Sequence, residues 1–284
     1  MTDNPSAKKI YGLIGYPVKH SLSPAMHNAA FQALNINAEY KLFELKPEEL
    51  EGFLSGVKKN NIFGLNVTVP YKEKVMPFLD NLSEEAKLIG AVNTIKCSGE
   101  KLEGFNTDGA GFLEHLIQDL KFDPAGKDIA IIGAGGAARA VSVSLSKKGP
   151  KGIAIYDIDK SKLSALISHL QENFKGIDFI AAPSVAQLNL KNVDLLVNAT
   201  PIGMKESDPC PIEDIPLSGG LLVYDLIYNP QETKLLKIAR AGGSCVANGL
   251  GMLLYQGVES FEFWTGQKAP VEVMRQALSE AINK

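Results

Sequence analysis

A glycine-rich turn in the middle of the chain limits the possible folds more than any other part of the sequence. The apolar run at 127–132 (KDIAII) leads directly into the segment 133–140 (GAGGAARA). A buried strand that ends in a glycine turn and opens a helix is typical of dinucleotide-binding units. Gly133 permits the tight turn, Gly135 lets a pyrophosphate approach the backbone, and Ala138 allows close packing between helix and strand. The N-terminus of the helix then faces the phosphates.

Many strand–helix turns need glycine only for packing and bind no ligand. The strand after the turn helps to distinguish that role from cofactor binding. Residues 152–156 (GIAIY) predict this strand, which ends at Asp157, 19 residues beyond Ala138. An acidic side chain about 20 residues past the turn is expected to accept a hydrogen bond from a ribose 2′-hydroxyl. Dinucleotide binding is therefore favoured over a packing turn.

The composition excludes several classes of protein. With 284 residues, of which 45% are hydrophobic and 21% charged, the chain is long enough for two domains with full cores. Its net charge of −3 argues against broad nucleic-acid binding. Three scattered cysteines and the absence of a long apolar run predict a cytoplasmic protein without a membrane segment. The oligomeric state, monomer or homodimer, is left open.

The first 108 residues alternate strand and helix patterns, which predicts an α/β domain with a mostly parallel sheet. The predicted strands are 10–14, 39–44 and 63–69, the predicted helices are 24–34 and 47–58, and an antiparallel hairpin at the sheet edge covers 91–96 and 101–105.

The middle of the chain predicts a doubly wound Rossmann domain. The predicted strands are 128–132, 152–156, 177–181, 193–198, 221–225 and 244–246, with helices at 136–147, 160–173 and 232–241. Two last helices, 250–263 and 270–282, follow no further strand and are expected to return to the first domain. We therefore assign 1–108 plus 250–284 to a substrate-binding catalytic domain and 109–249 to a dinucleotide-binding domain, with 109–126 as connecting helix and linker.

Short polar segments of the first domain suit a ligand site. In 21–24 (SLSP), Ser23 followed by proline is a usual helix start, so capping is the favoured role for Ser23, while Ser21 is left over for a small carboxylate. In 66–72 (NVTVPYK), Asn66 and Thr68 share one strand face, and Lys72 follows at the carboxyl end, where open sheets place ligands. Lys72 can equally be a solvated lysine at a helix start.

The segment 104–109 (GFNTDG) places Asn106, Thr107 and Asp108 at a strand–helix junction. Thr107 or Asp108 can cap the helix. An aspartate close to a lysine would instead orient the amine and favour its charged form. The four histidines lack metal-ligand spacing, and no metal site is predicted. Hydride transfer with a lysine acid/base fits what remains, since the sequence has no G-x-S-x-G motif.

Eight blocks in the same order resemble the shikimate dehydrogenase family, which includes the quinate/shikimate dehydrogenases. The resemblance spans nearly the whole chain and comprises 21–28 (SLSPAMHN), 66–72 (NVTVPYK), 90–94 (GAVNT), 104–108 (GFNTD), 133–140 (GAGGAARA), 198–204 (NATPIGM), 225–230 (DLIYNP) and 248–256 (NGLGMLLYQ). It implies reversible hydride transfer between a nicotinamide and C3 of a hydroxylated cyclohexene carboxylate, which links 3-dehydroshikimate to shikimate.

The resemblance also implies roles for individual residues. Ser21 and Ser23 would hold the substrate carboxylate, which overrides capping alone, and Lys72 paired with Asp108 would be the catalytic acid/base. The ring hydroxyls would be bound by Asn66, Thr68, Asn93, Asp108 and Gln256. Tyr228 and Met252 would line the junction of cofactor and substrate, Tyr228 on the substrate side. The cofactor residues would be Gly133, Gly135, Gly136, Ala137, Asp157, Thr200, Gly249 and Met252.

The segment after the second Rossmann strand bears on the choice of cofactor. Many members of the family use NADP and carry an Asn-Arg-Thr-like stretch whose arginine meets the 2′-phosphate, whereas this chain has Asp157, Ile158 and Asp159. A carboxylate there can bind the ribose hydroxyls of NAD and would repel a 2′-phosphate. We expect NAD to be preferred, with NADP possible because Asp159 can merely cap a helix and Lys160 or Lys162 can reach a phosphate.

Three alternatives stay open. The enzyme can also act on quinate, although two serines at 21 and 23 favour shikimate. The chain can be a Rossmann-fold sensor without catalysis, against which Lys72 and Asp108 argue. A folate-type or other Rossmann dehydrogenase would account for 133–157 and leave the blocks at 21–28, 66–72 and 104–108 unexplained.

Overall fold

The computed structural model describes residues 7–57, 59–99, 101–212, 217 and 219–283. The chain divides into two compact units of similar size. Unit 1 comprises Met1–Gly111 with Leu253–Lys284, and unit 2 comprises Phe112–Met252. Apart from Tyr228, the residues predicted to hold the substrate lie in unit 1, and those predicted to hold the cofactor lie in unit 2.

Unit 1 is built on a six-stranded sheet flanked by helices. Its elements are β1 (Lys9–Gly15), α1 (Ser23–Ala33), β2 (Ala38–Glu44), α2 (Leu50–Gly56), β3 (Ile62–Val67), β4 (Asn81–Leu82), α3 (Glu84–Ile89), β5 (Thr94–Ser98) and β6 (Lys101–Phe105). The strand order is β2-β1-β3-β5-β6-β4. Strand β5 runs antiparallel to both neighbours, and every other pairing is parallel. The mostly parallel α/β sheet is as predicted.

Several predicted boundaries in unit 1 are corrected by the structure. The hairpin β5–β6 does not lie at the sheet edge, because the two-residue strand β4 pairs with β6 and forms that edge. The stretch 91–93 precedes β5 instead of belonging to it. The helix predicted over 47–58 begins with a 3₁₀ turn at Pro47–Glu49 and becomes α-helical only in α2, and its last predicted residue, 58, lies outside the described residues.

Helix α3 was not predicted, although its sequence carries ordinary signals for a short helix. Ser83 is the N-cap, and its side chain accepts a hydrogen bond from the Ala86 N–H. Gly90 ends the helix in the left-handed conformation with φ of 73°. The helix thus delivers the chain to the segment 91–93, which contains Asn93.

Unit 2 contains a six-stranded sheet in which every pairing is parallel. Its elements are α4 (Asp108–Glu114, which begins in unit 1), β7 (Asp128–Ile132), α5 (Gly136–Ser146), β8 (Gly152–Tyr156), α6 (Lys160–Asn173), β9 (Asp178–Ala181), β10 (Leu195–Asn198), β11 (Leu222–Asp225), α7 (Lys234–Ala241) and β12 (Cys245–Ala247). The order β12-β11-β10-β7-β8-β9 is doubly wound. Its topological switch point lies between β7 and β10, where such sheets bind ligands. The predicted Rossmann architecture is confirmed.

Two helices carry the chain across the division between the units. Helix α4 ends at Glu114 and continues as one π-helical turn, His115–Asp119, where a longer α-helix was predicted. Helix α8 (Leu250–Thr265) begins in unit 2, continues in unit 1 and is followed by α9 (Val271–Ile282), which packs against α1. Among the described helices, none combines the length and apolar character needed to cross a membrane.

Candidate active site

Lys72 and Asp108, the predicted acid/base and its partner, form an ion pair in unit 1. The Lys72 Nζ lies 2.5 Å from Asp108 Oδ2, and the two side chains are 21% and 8% exposed. The Val92 N–H donates to the Lys72 carbonyl at 2.7 Å, which fixes the backbone that carries the lysine. A charge-assisted hydrogen bond of this kind orients the ammonium. The pair therefore presents a positioned proton donor at the carboxyl side of β3.

The amide of Asn93 is fixed at both ends, and it joins the ion pair to its surroundings. Its Oδ1 accepts from the Thr107 N–H at 2.8 Å, a group that can only donate. Its Nδ2 donates to Asp108 Oδ1 at 2.9 Å and lies 3.4 Å from Gln256 Oε1. These partners leave one orientation for the amide. The structure thus brings four of the predicted site residues together: Lys72, Asn93, Asp108 and Gln256.

Gln256 belongs to α8 and lies far along the chain from the other three residues of this group. Its Nε2 donates to the Leu253 carbonyl at 2.8 Å. Gly111 in α4 lies directly against the backbone of Gln256, where a side chain at 111 would overlap it. The close approach of the two helices therefore depends on glycine at that position.

The two serines at the start of α1 differ from the predicted helix cap. Ser23 is the first residue of the helix, the N-cap position is Leu22, and no side chain caps this end. The Ser21 Oγ lies 3.2 Å from Ser23 Oγ and accepts from the Ser23 N–H at 3.3 Å. The prediction that Ser23 caps α1 is wrong, because the helix starts one residue earlier. Both hydroxyls remain beside the N-terminal end of a helix, where a carboxylate is favoured.

Thr68 follows β3 and is partly exposed. Its backbone N–H donates to the Ile14 carbonyl at 2.9 Å, which ties it to the end of β1. Within the described chain, its hydroxyl has no hydrogen-bond partner, so the group is available to a ligand.

Asn66 is more deeply placed than the sequence suggested. Its Oδ1 accepts from the Tyr40 hydroxyl at 2.8 Å, and its Nδ2 donates to the Asn93 carbonyl at 3.2 Å. The same Nδ2 lies 3.1 Å from Thr94 Oγ1 and 3.0 Å from Ser260 Oγ. Both ends of this amide are therefore engaged by the protein itself.

Tyr40 and Ser260 were missed by reasoning from the sequence. Tyr40 lies in β2, where an alternating strand pattern identifies only a buried aromatic residue, and its hydroxyl also forms a hydrogen bond with the Ser23 side chain. Burial raises the pKa of Tyr40, so the hydroxyl stays protonated and can donate. Ser260 is fully buried in α8, 194 residues from Asn66, and no local pattern indicates that contact.

The glycine turn of unit 2 has the shape that a pyrophosphate requires. Gly133 has φ of 115°, and a Cβ there would lie 3.0 Å from the Ala199 carbonyl oxygen. By contrast, a Cβ at Gly135 or Gly136 would meet nothing within 4 Å, so the start of α5 is open. Ala138 is fully buried, as its packing role predicts. The residues present therefore fit a dinucleotide phosphate group at the N-terminus of α5.

Asp157 at the end of β8 braces this turn. Its Oδ2 accepts from the Ala134 N–H at 2.6 Å, and its Oδ1 accepts from the Asp159 N–H at 2.7 Å. Asp159 caps α6, since its side chain accepts from the Ser161 and Lys162 N–H groups. The capping alternative for Asp159 is confirmed. Lys160 Nζ donates to the carbonyls of Asp157 and Pro183.

A buried polar group supports Thr200 at the end of β10. The Thr200 hydroxyl donates to Asn198 Oδ1 at 2.7 Å, and the Asn198 Nδ2 donates to Asp225 Oδ1 at 3.0 Å. Asp225 also accepts from the Thr233 hydroxyl at 2.7 Å. Burial raises the pKa of Asp225 to about 6. Neither Asn198 nor Asp225 was predicted as a site residue, although both lie in blocks that carry the family resemblance.

The remaining predicted residues of unit 2 lie after β11 and β12. Gly249 lies against the Leu226 carbonyl, where any side chain would overlap it. Met252 is buried, and its N–H donates to the Tyr224 hydroxyl. Tyr228 is half-buried, and burial raises its pKa. These three residues, together with the glycine turn, belong to one unit.

A doubly wound sheet with a glycine turn at its switch point, and a lysine–aspartate pair among fixed polar side chains, define the class of two-domain α/β dehydrogenases. Comparison with known proteins places the chain within this class. The family model described as the shikimate dehydrogenase substrate binding domain matches residues 13–95. The model described as the shikimate 5'-dehydrogenase C-terminal domain matches residues 249–278.

Full-length relatives agree with the family models. The shikimate dehydrogenase (NADP(+)) of Methanopyrus kandleri is 48% identical, over 96% of this chain and 96% of its own length. The structure of shikimate 5-dehydrogenase from Listeria monocytogenes in complex with shikimate and NAD is 33% identical, covers 98% of this chain and 99% of its own, and has a TM-score of 0.88. Quinate dehydrogenase from Corynebacterium glutamicum in complex with NAD is 31% identical, with coverage of 96% and 99% and a TM-score of 0.87.

The chain belongs to the shikimate dehydrogenase family. It is an oxidoreductase that acts on a CH–OH group with a nicotinamide cofactor.

Proposed function

We propose that this enzyme interconverts shikimate and 3-dehydroshikimate, with Lys72 as the acid/base. The observation that carries the proposal is the Lys72–Asp108 ion pair of 2.5 Å, held by Asn93 and lying among predicted hydroxyl-binding residues. The relatives named for shikimate support the same substrate. A polyhydroxylated carboxylate suits a site that combines two serine hydroxyls with several fixed amides.

The proposed contacts divide by the chemistry of the substrate. Ser21 and Ser23 bind the carboxylate. The ring hydroxyls bind to Thr68, Asn93, Asp108 and Gln256. Asn66 is given a different role, since its Nδ2 donates to the Asn93 carbonyl and its Oδ1 accepts from the buried Tyr40 hydroxyl. In the proposal Asn66 acts by holding the Asn93 segment.

Lys72 is a proton donor fixed beside the reacting oxygen, and the uncatalysed reaction in water has no such donor. During reduction of the ketone, negative charge grows on that oxygen, and the Lys72 ammonium stabilises the charge and delivers the proton. In the reverse direction the neutral amine takes the hydroxyl proton. Asp108 keeps the amine oriented in both directions. When bound, the nicotinamide supplies or accepts the hydride.

The cofactor is proposed to be held by Gly133, Gly135, Gly136, Ala137, Thr200, Gly249 and Met252, with Asp157 at the ribose. We propose NAD as the preferred form, although the Methanopyrus kandleri relative is named for NADP(+). Support comes from the Asp157 carboxylate at the end of β8, which would repel a 2′-phosphate. Ile158, at the position where an arginine would meet that phosphate, is 87% exposed and uncharged. The nearest lysine, Lys160, is engaged by two carbonyls.

Substrate and cofactor choice are tested together by steady-state kinetics on shikimate and quinate, each with NAD and NADP. The proposal expects the highest kcat/KM for shikimate with NAD. A higher kcat/KM for quinate would make quinate the preferred substrate, as the name of the Corynebacterium glutamicum relative suggests for that protein. A higher value with NADP would overturn the cofactor assignment and leave the reaction in place.

The double variant Asp157→Asn with Ile158→Arg is expected to shift the ratio of kcat/KM for NAD over NADP towards NADP by at least about tenfold, because one charge is removed and an opposite one added. Asparagine is chosen because its carbonyl oxygen can still accept from the Ala134 N–H. The matched control is Lys148→Ala, which removes an exposed lysine of unit 2 outside the proposed cofactor residues and should leave the ratio unchanged. An unchanged ratio in the double variant would refute the role of Asp157.

A further inference from the structure

Helix α8 presents a polar stripe to the sheet of unit 1. Gln256, Ser260 and Trp264 are spaced four residues apart, which places them on one face of the helix. The Trp264 Nε1 donates to the Ile95 carbonyl of β5 at 3.0 Å. Gly64 of β3 leaves room for the indole ring, since a side chain there would overlap it. The stripe therefore ties α8 to strands β3 and β5.

Ser260 is the centre of this stripe, and its hydroxyl touches four groups. It donates to the Gln256 carbonyl at 2.9 Å, and that carbonyl can only accept. Its oxygen is then free to accept from Asn66 Nδ2 at 3.0 Å, and it lies 2.7 Å from Thr94 Oγ1. Thr107 Oγ1 lies 3.2 Å away. A serine inside a helix often bonds only the carbonyl one turn back. The three other partners belong to different elements of unit 1.

These partners are the groups that surround Asn93. Thr94 Oγ1 and Thr107 Oγ1 both lie within 3.2 Å of Asn93 Oδ1. Asn66 donates to the Asn93 carbonyl. Ser260 thus lies one hydrogen bond behind the residues that fix Asn93 and one helical turn from Gln256.

We propose that Ser260 is a positioning residue that sets the spacing between Gln256 and Asn93 and thereby the strength of substrate binding. The inference rests on the proposed function, in which both amides bind ring hydroxyls. Ser260 itself touches neither substrate nor cofactor. Its hydroxyl holds α8 in register against Asn66, Thr94 and Thr107, so its loss lets Gln256 move relative to Asn93.

The test is Ser260→Ala, which removes the hydroxyl and leaves a good helix former. We expect KM for shikimate to rise about fivefold, the factor that corresponds to one net hydrogen bond. The kcat should stay within about twofold, because the Lys72–Asp108 pair is untouched, and KM for the nicotinamide cofactor should be unchanged. The matched control is Ser142→Ala in α5, which removes a fully buried helix hydroxyl that has no partner among the described residues.

A second pair of variants separates the hydroxyl from side-chain volume. Ser260→Thr and Ser260→Val have nearly the same shape, and only the first keeps a hydroxyl. Threonine should restore a lower KM than valine. Equal KM values for threonine and valine, or a Ser260→Ala variant with the KM of the parent, would overturn the positioning role.

Calorimetric titration with shikimate keeps this inference distinct from the proposed function. A parent that turns over shikimate while Ser260→Ala binds it equally well overturns only the role of Ser260. A parent without turnover overturns the proposed reaction, and the ratio of Kd values between parent and Ser260→Ala then decides the role of Ser260. A parent that neither binds nor turns over shikimate overturns both.

Discussion

The hydroxyl of Tyr40 shows how much a single buried group can organise. It donates a hydrogen bond to Asn66 and forms another with Ser23. One side chain therefore connects Ser23, which is proposed to bind the substrate carboxylate, to the hydrogen bonds that hold Asn93. The Tyr40 backbone is itself fixed, since the Asn28 side chain bonds both its N–H and its carbonyl. A buried acceptor that loses its donor carries the full penalty of desolvation.

Replacing Tyr40→Phe is therefore expected to lower the free energy of unfolding by about 1–3 kcal/mol, because Asn66 Oδ1 is left without its donor. The measurement is urea denaturation, with KM for shikimate as a second readout that should rise.

The matched control for that variant is Tyr11→Phe. Tyr11 lies in the same aromatic cluster, with ring centroids 5.2 Å from Trp264, and its hydroxyl has no hydrogen-bond partner in the described chain. It should lose clearly less stability than Tyr40→Phe. Equal losses for the two variants would show that the Tyr40–Asn66 hydrogen bond contributes little.

At the scale of elements, α1, β2 and α8 meet at His27. The imidazole is fully buried, it stacks on Tyr40 with centroids 4.4 Å apart, and it lies 5.3 Å from the Trp264 ring. Neither ring nitrogen has a hydrogen-bond partner among the described residues. Burial lowers the pKa of His27 to about 3, so the packing of these three elements requires the neutral ring.

This packing makes stability depend on pH in one direction. Below pH about 6.5 the unfolded chain binds a proton at His27, whereas the folded chain does so only near pH 3, so stability falls as the pH is lowered through that window. Replacing His27→Phe removes this linkage. We expect the loss of unfolding free energy between pH 7 and pH 5 to be smaller in the variant by about 2 kcal/mol.

The measurement is urea denaturation at the two pH values, and only the difference between them is compared, which cancels any change in packing. The control is His20→Phe, since His20 is exposed. A parent and a His27→Phe variant with the same pH dependence would show that His27 titrates freely in the folded chain.

Elements with strong local signals were predictable from the sequence, and those that depend on distant partners were not. The strands of unit 2 and the cap of α6 by Asp159 follow from apolar runs and turn residues. The two-residue strand β4 is too short to form a pattern, and it exists because β6 offers a pairing edge. Helix α1 starts one residue earlier than predicted. At its start the Ser21 hydroxyl accepts a hydrogen bond from the Ser23 N–H, and Ser23 does not act as the cap.

The candidate site divides in the same way. Lys72, Asp108 and the glycine turn were recognisable because their motifs are contiguous in sequence. Tyr40 and Ser260 were not, because their roles arise from contacts across 26 and 194 residues, which only the fold creates. Asn66 lies in β3 as predicted, whereas Thr68 follows the strand, which ends at Val67. Alternation along a strand cannot distinguish an amide that faces a ligand from one satisfied by neighbouring residues.

At the scale of the whole molecule, the two units carry different parts of the predicted site. Unit 1 holds the ion pair and the fixed amides, and unit 2 holds the glycine turn at the switch point of a parallel sheet. In the proposed function this protein is a working enzyme in which Lys72 moves the proton. A ligand-binding sensor of the same fold would keep both units and lack that step.

The most direct test is the kcat for shikimate oxidation by the parent, by Lys72→Ala and by Lys74→Ala, with shikimate binding measured by calorimetry for each. Lys74 is an exposed lysine two residues away, which makes it the matched control. We expect turnover in the parent and in Lys74→Ala, and a fall in kcat of about 10²–10⁴-fold in Lys72→Ala with binding retained. A parent that binds shikimate without turnover, or a Lys72→Ala variant as active as the parent, would contradict this expectation.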